Sequence, residues 1–323
     1  MRTVKKRVLF AIPFLLVSGL TGTAGATEAW EARASQVVEH RISAAEARAA
    51  AEYWTPERMA EAKNADHVVD GDPNAPRREA RAQADQKLAE PYSAHGDVGT
   101  SIYRTRVAGK VFYKDSAGGS WVCSGSVVNS PARNMVSTAG HCVHEGDGGN
   151  WHNNWLFVPD YHHNSRPFGT FEAYNLTTLR GWTDDGSWAY DSAFALMGTN
   201  GSGQRLVDAV GVANGVRVGG PFNRTHTVIG YPCDKESCQA QYNCVGPSEQ
   251  ATVFFPRQIT MSCGLQGGSS GGPWLTDFQD NANGTGLGYV HGVTSNNDIF
   301  GNLRSPYFED AVEGNLYRTF MNG

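Results

Sequence analysis

Beyond Val98 the chain is written in short β-prone runs separated by Gly, Asn and Asp turns, and that alternation limits the folds open to it. The runs are Lys110–Tyr113, Trp121–Val128, Met135–Thr138, Trp155–Val158, Thr227–Gly230, Ala251–Phe255 and Gly288–Thr294. Many short strands with turn signals between them predict an all-β barrel or sandwich. About 225 residues are available, enough for one substantial core or two small ones.

The preceding stretch, Thr27 to about His95, reads differently. It is rich in Ala, Glu and Arg, lacks cysteine and holds one glycine, Gly71. Ser43-Ala44-Ala45-Glu46 has the form of a capping box. Thr55-Pro56-Glu57 offers an N-cap, a first-position proline and an acid in the first turn. Two or three short helices are predicted, broken by the polar stretch Asp70-Gly71-Asp72-Pro73-Asn74. The segment has too few apolar residues for a core of its own, which favours a removable prosegment over an attached domain.

The N-terminus carries Arg2, Lys5, Lys6 and Arg7, then an apolar run from Val8 to Val17, then small residues ending Ala24-Gly25-Ala26. That order is a secretory signal peptide; the run is short for a membrane span and contains Pro13. The expected organisation is therefore signal peptide 1–26, prosegment 27–98 and a β-rich domain 99–323, exported to the extracellular side. A net charge of −5 asks for neither nucleic acid nor an anionic membrane as partner. Six cysteines, an even count in an exported chain, favour disulfides over a zinc site, since Cys233, Cys238 and Cys244 do not repeat a C-x-x-C spacing.

Two motifs carry chemistry: Ser137-Thr138-Ala139-Gly140-His141-Cys142 after a β-run, and Gly267-Gly268-Ser269-Ser270-Gly271-Gly272-Pro273-Trp274. They resemble the histidine and serine signatures of chymotrypsin-like serine proteases, over roughly residues 105–320. The pattern is similar to secreted bacterial trypsin-like and glutamyl-endopeptidase-like members. The resemblance implies two six-stranded antiparallel β-barrels with the site between them. It also implies a serine endopeptidase acting on proteins or peptides through an acyl-enzyme, with no cofactor and no metal.

A serine hydroxyl needs an adjacent base to become a nucleophile, and histidine suits that task. His141 is the base by motif and Ser270 the nucleophile, with the amides of Gly268 and Ser270 implied as the oxyanion hole. Eleven acids lie between His141 and Ser270. Asp191 opens the strand-like run Ser192-Ala193-Phe194-Ala195-Leu196-Met197, whereas Asp208 precedes a run broken by Gly211, and Asp184 and Asp185 sit in a turn. Asp191 is the expected orienting carboxylate. Gly267-Gly268-Ser269-Ser270-Gly271 also fits G-x-S-x-G, but only His291 follows it, leaving no room for the later units of an α/β hydrolase.

The resemblance also pairs Cys123 with Cys142 across the histidine loop. The other four cysteines allow three pairings; Cys244 with Cys263 and Cys233 with Cys238 is preferred, since the first ties the chain before the serine loop to an earlier segment. Two departures from the family pattern stand out. Ser269 occupies the place where many animal members carry an aspartate that pairs with the new N-terminus, so the prosegment must act otherwise, as inhibitor or folding aid. Gly264 falls at the pocket-base position with no acid between Cys263 and Ser270, which removes support for trypsin-like specificity. Thr294 aligns with the pocket histidine of glutamyl endopeptidases, His291 lies outside the pocket, and Ser295 lies along the substrate-binding strand.

His152, His162 and His163 with Asp160 read as a surface loop, lacking any metal-type spacing. Gly146-Asp147-Gly148 and Asp184-Asp185-Gly186 are turn sequences before they are calcium ligands. A monomer is expected. Rival classes are a binding protein that kept the fold and lost activity, which would usually lose a triad residue, and an esterase-like hydrolase, which ester against peptide turnover would separate.

Overall fold

The computed structural model describes residues 21–64, 67, 71–72, 74, 80–93, 104–252, 255–280 and 285–323. Most of the expected signal peptide and the expected boundary near residue 98 lie outside the described residues.

The first half of the segment beyond residue 98 is a closed antiparallel barrel. Strands Asn153–Pro159, Ala108–Lys114, Ser120–Val128, Met135–Thr138, Ala193–Met197 and Phe171–Leu179 pair in that order, and the last returns to the first. Local chemistry sets the first hairpin. Asp115 Oδ1 accepts from the Gly119 amide at 2.6 Å and its Oδ2 from Trp121 Nε1 at 2.7 Å, while Gly118 takes the positive φ of the turn. The fully buried Val111, Val127, Val136, Phe157, Leu176 and Ala195 pack together in the core.

The second half contains a six-stranded sheet ordered Tyr242–Pro247, Thr225–Gly230, Pro273–Gln279, Leu287–Val293, Gly215–Gly220 and Gln83–Ala89. A four-stranded sheet of Glu249–Gln250, Gln258–Ser262, Asn302–Pro306 and Asn296–Asn297 completes it. The β-run expected at 251–255 is not a strand at Ala251, Thr252 or Phe255; the pairing strand begins at Gln258, after Pro256. Among the described residues no helix is long and apolar enough to cross a membrane.

The segment before residue 98 has three short helices, Thr21–Ala34, Ala44–Tyr53 and Pro56–Glu61. The Ser43–Glu46 capping box forms, and Thr55 caps the helix that begins at Pro56. The segment also contributes strands: Val37–Arg41 pairs with Phe171–Leu179, and Gln83–Ala89 with Gly215–Gly220. Trp54 inserts against Phe112 and donates from Nε1 to the Asn154 carbonyl at 2.6 Å. Its few apolar residues are thus spent on the catalytic barrel and not on a separate core.

Candidate active site

Strand Met135–Thr138 ends in a tight turn, Gly140–Cys142, which holds His141 at the barrel rim. The turn is packed closely: a Cβ on Gly140 would lie 2.9 Å from both Asp191 Oδ1 and the Trp182 ring. Asp191 follows the turn Trp188–Tyr190, ahead of strand Ala193–Met197, and is fully buried. Its Oδ1 accepts from the His141 backbone amide at 2.7 Å, and its Oδ2 meets His141 Nδ1 at 2.8 Å. One carboxylate therefore fixes both the main chain and the ring. Nδ1 is a donor in that contact, so Nε2 is left as the basic nitrogen. Nε2 is buried and has no hydrogen-bond partner among the described residues.

Ser295, expected only along the substrate strand, donates its hydroxyl to Asp191 Oδ2 at 2.6 Å. Sequence reasoning missed this contact because 104 residues separate the two partners. His152 also departs from its expected place. It is buried rather than on the surface, stacks on Tyr113 with centroids 4.2 Å apart, and its Nε2 lies 3.0 Å from the His141 carbonyl. Burial pushes it down to about 4, so it is a neutral prop behind His141. His163, by contrast, lies on the surface and pairs with Glu236. Asp184 and Asp185 form ion pairs with Arg33.

The serine loop docks onto the histidine strand. The Ser124 amide donates to the Ser270 carbonyl at 2.6 Å, and a Cβ on Gly271 would sit 2.2 Å from Thr138 Oγ1 and 3.0 Å from the Ala139 amide. These contacts tie the Ser270 backbone to the strands beside His141, while among the described residues no hydrogen bond joins Ser270 Oγ to His141 Nε2. Behind it, the Gly267 carbonyl accepts from the Cys233 amide at 2.7 Å and the Gly268 carbonyl from Ser124 Oγ at 2.8 Å. In a planar trans peptide the N–H points opposite the carbonyl, so the first bond turns the Gly268 amide away from Cys233. Gly268 has a φ of +94°, and a Cβ there would lie 2.4 Å from the Tyr231 carbonyl oxygen. The Gly268 and Ser270 amides donate to no acceptor among the described residues.

Thr294 donates its amide to Gly272 and accepts from the Gly271 amide, while its Oγ1 receives Trp274 Nε1 at 3.1 Å. Gly264 is exposed, its carbonyl accepts from Lys235 Nζ, and a Cβ there would meet nothing within 4 Å. It is therefore not the floor of an enclosed pocket in this structure. His291 is buried away from the cleft. Its Nε2 lies 2.6 Å from the Gly219 carbonyl, which makes Nε2 the donor and leaves Nδ1 to accept from His226 Nε2 at 3.1 Å. Burial holds both rings neutral, pushing His226 down to about 3 with added repulsion from His291, and His291 down to about 4 with added repulsion from Arg224 and Arg217.

Three disulfides pair Cys123 with Cys142, Cys233 with Cys238 and Cys244 with Cys263. The first two of these flank the site. Cys123–Cys142 ties the Ser124 strand to the residue after His141, and Cys233 backs Gly268.

No family profile matches the chain. Among solved structures it is similar to a thermostable serine protease from an extremophilic microorganism, at 29% identity and a TM-score of 0.60, over 68% of this chain and 99% of that one. It is similar to the protease Anisep from Arthrobacter nicotinovorans at 31% identity and a TM-score of 0.60, over 69% of this chain and 98% of that one. A Glu endopeptidase shares the fold at 20% identity and a TM-score of 0.54, over 69% and 97% of the two chains. The chain belongs to the chymotrypsin-like serine proteases.

A curated relative, the extracellular metalloprotease of Bacillus subtilis, is 28% identical over 210 residues; the match spans 62% of this chain and 63% of that protein's length. The ligand types that cluster among the described residues do not fit a metal. Among the described residues the one cluster of ligand types is Cys123, His141 and Cys142. Both sulfurs are joined in a disulfide and His141 Nδ1 faces Asp191, so no thiolate is available to bind one.

Proposed function

We propose that this chain is a secreted serine endopeptidase that cleaves peptide bonds in protein or peptide substrates through an acyl-enzyme. The observation that carries this reading is the double grip of Asp191 on His141, through the backbone amide and through Nδ1. It fixes the ring so that Nε2 can accept the Ser270 proton as Oγ attacks the scissile carbonyl. The resulting oxyanion is met by the amides of Gly268 and Ser270. The imidazolium then returns the proton to the departing amine. Water, deprotonated by the same nitrogen, releases the acid product and restores Ser270.

The signal peptide 1–26 directs export, three disulfides suit the oxidising exterior, and residues 27–98 act as a prosegment, inhibitor or folding aid, on a monomer. The test is labelling of the secreted protein by a fluorophosphonate probe with peptide mapping. An adduct on Ser270 that is lost in Ser270→Ala is expected. A folded, processed chain that takes up no probe sinks the reading.

A further inference from the structure

The segment ahead of the catalytic domain contacts both flanks of His141 and the ring itself. On one flank, Lys63–Asn64 pairs in parallel with Trp121–Val122, on the strand that runs into Cys123 and Ser124. At the centre, the His67 ring lies against His141 with centroids 4.5 Å apart and against Trp188 at 5.2 Å. The His67 carbonyl accepts from the Asn297 amide at 2.9 Å, two residues beyond Ser295. On the far flank, Asp72 is buried; its Oδ2 accepts from Ser187 Oγ at 3.0 Å and from the Ala189 amide at 3.3 Å. Asn74 Nδ2 then donates to the Asp185 carbonyl at 2.5 Å.

We propose that this stretch is the enzyme's own cleft-bound inhibitor, with the His67 imidazole as plug over His141 and the Asp72 carboxylate as latch in the seat formed by Ser187 and Ala189. The proposal deepens the endopeptidase reading above and rests on it. Three observations separate such a plug from a chance contact. First, both anchors are desolvated: burial, with the neighbouring His141, pushes His67 down to about 3, and burial raises the Asp72 carboxyl. A buried carboxylate without a cation is costly unless its oxygens are hydrogen-bonded, and the hydroxyl and amide of the 187–189 turn supply those bonds. Second, that turn leads directly into Asp191, so the latch grips the element that orients the catalytic histidine. Third, the His67 carbonyl is engaged by Asn297 and not by the amides of Gly268 and Ser270, so the peptide bond after His67 is not presented for attack.

The test uses the full exported chain and compares fluorophosphonate labelling of the uncut band with that of the band left after limited digestion removes the prosegment. Wild type should label at least tenfold faster after cutting. Asp72→Asn, which keeps the shape of the latch, and His67→Ala should each raise the labelling rate of the uncut band several-fold. Neither should alter the cut band. Uncut wild type labelling as fast as cut protein, or variants indistinguishable from wild type when uncut, overturns the plug and leaves the endopeptidase reading standing. Absence of label on Ser270 before and after cutting overturns both.

Discussion

The Ser295 hydroxyl and the Asp191 carboxylate lie 2.6 Å apart, on the same oxygen that faces His141 Nδ1. Asp191 therefore receives three donors: the His141 amide, the His141 ring and a hydroxyl from the opposite half of the molecule. The last of these reaches across the cleft and makes the orientation of the histidine depend on the docking of the two halves. Hydrogen bonds to charged groups contribute about 1.5–3 kcal/mol. Ser295→Ala should lower kcat roughly tenfold or more with little change in KM, and Ser295→Thr should retain most activity. Steady-state kinetics on a peptide substrate checks both; a KM effect alone would assign Ser295 to substrate binding.

Gly268 is held where a side chain has no room. Its φ of +94° and the 2.4 Å approach to the Tyr231 carbonyl make Gly268→Ala displace the amide proposed to meet the oxyanion. The expected outcome is a loss of roughly 10²–10³ in kcat. Stoichiometric probe uptake by Ser270, at a slower rate, would accompany it. Circular dichroism should report an intact fold.

The buried neutral histidines give the protein an acid limit. His152, His226 and His291 have folded pKa values depressed to about 4, 3 and 4, chiefly by burial. In the unfolded chain each takes up its proton near the ordinary ~6.5, so below that pH the unfolded state binds more protons and stability falls. At pH 5 each ring costs about 2 kcal/mol. Thermal melts should show Tm falling as pH drops from 6.5 towards 4, because the three rings together outweigh the opposing gain from Glu313, whose carboxyl burial raises to about 7. His226→Gln should flatten that slope.

The Cys123–Cys142 bond closes 19 residues of chain between the strand that docks the serine loop and the histidine turn. Loop closure of that length is worth about 3 kcal/mol. The double variant Cys123→Ser/Cys142→Ser should lose roughly 10 °C in Tm and most of its activity, since the turn bearing His141 loses its tether. Calorimetry with parallel probe labelling separates the two effects.

Residues whose role is set by local backbone chemistry were legible in the sequence. The turn that presents His141, the glycines around Ser270, the run that follows Asp191 and the Ser43 capping box all carry their signal within a few positions. The expected cysteine pairing also formed. What escaped was set by distant partners. His152 lies ten residues before half-buried His162 and exposed His163, and only the stacking of Tyr113 reveals its full burial. Asp72 reads only as part of a polar, helix-breaking stretch until the 187–189 turn supplies its donors. Gln83–Ala89 is a polar stretch with little strand propensity of its own; the backbone of Gly215–Gly220 makes it a strand.

The ladders made by the leading segment also set an order of assembly. Val37 pairs with Leu179 and Gln83 with Gly220, each bridging well over a hundred residues. During synthesis the segment emerges first and has to keep its strands unpaired until those partners arrive, a high-contact-order arrangement that folds slowly and exposes open edges on the way. If the segment is removed as proposed, the template for that closure goes with it. A chain cut in that way would persist through the height of its unfolding barrier, and once denatured it should fail to regain activity unless the leading segment is supplied again.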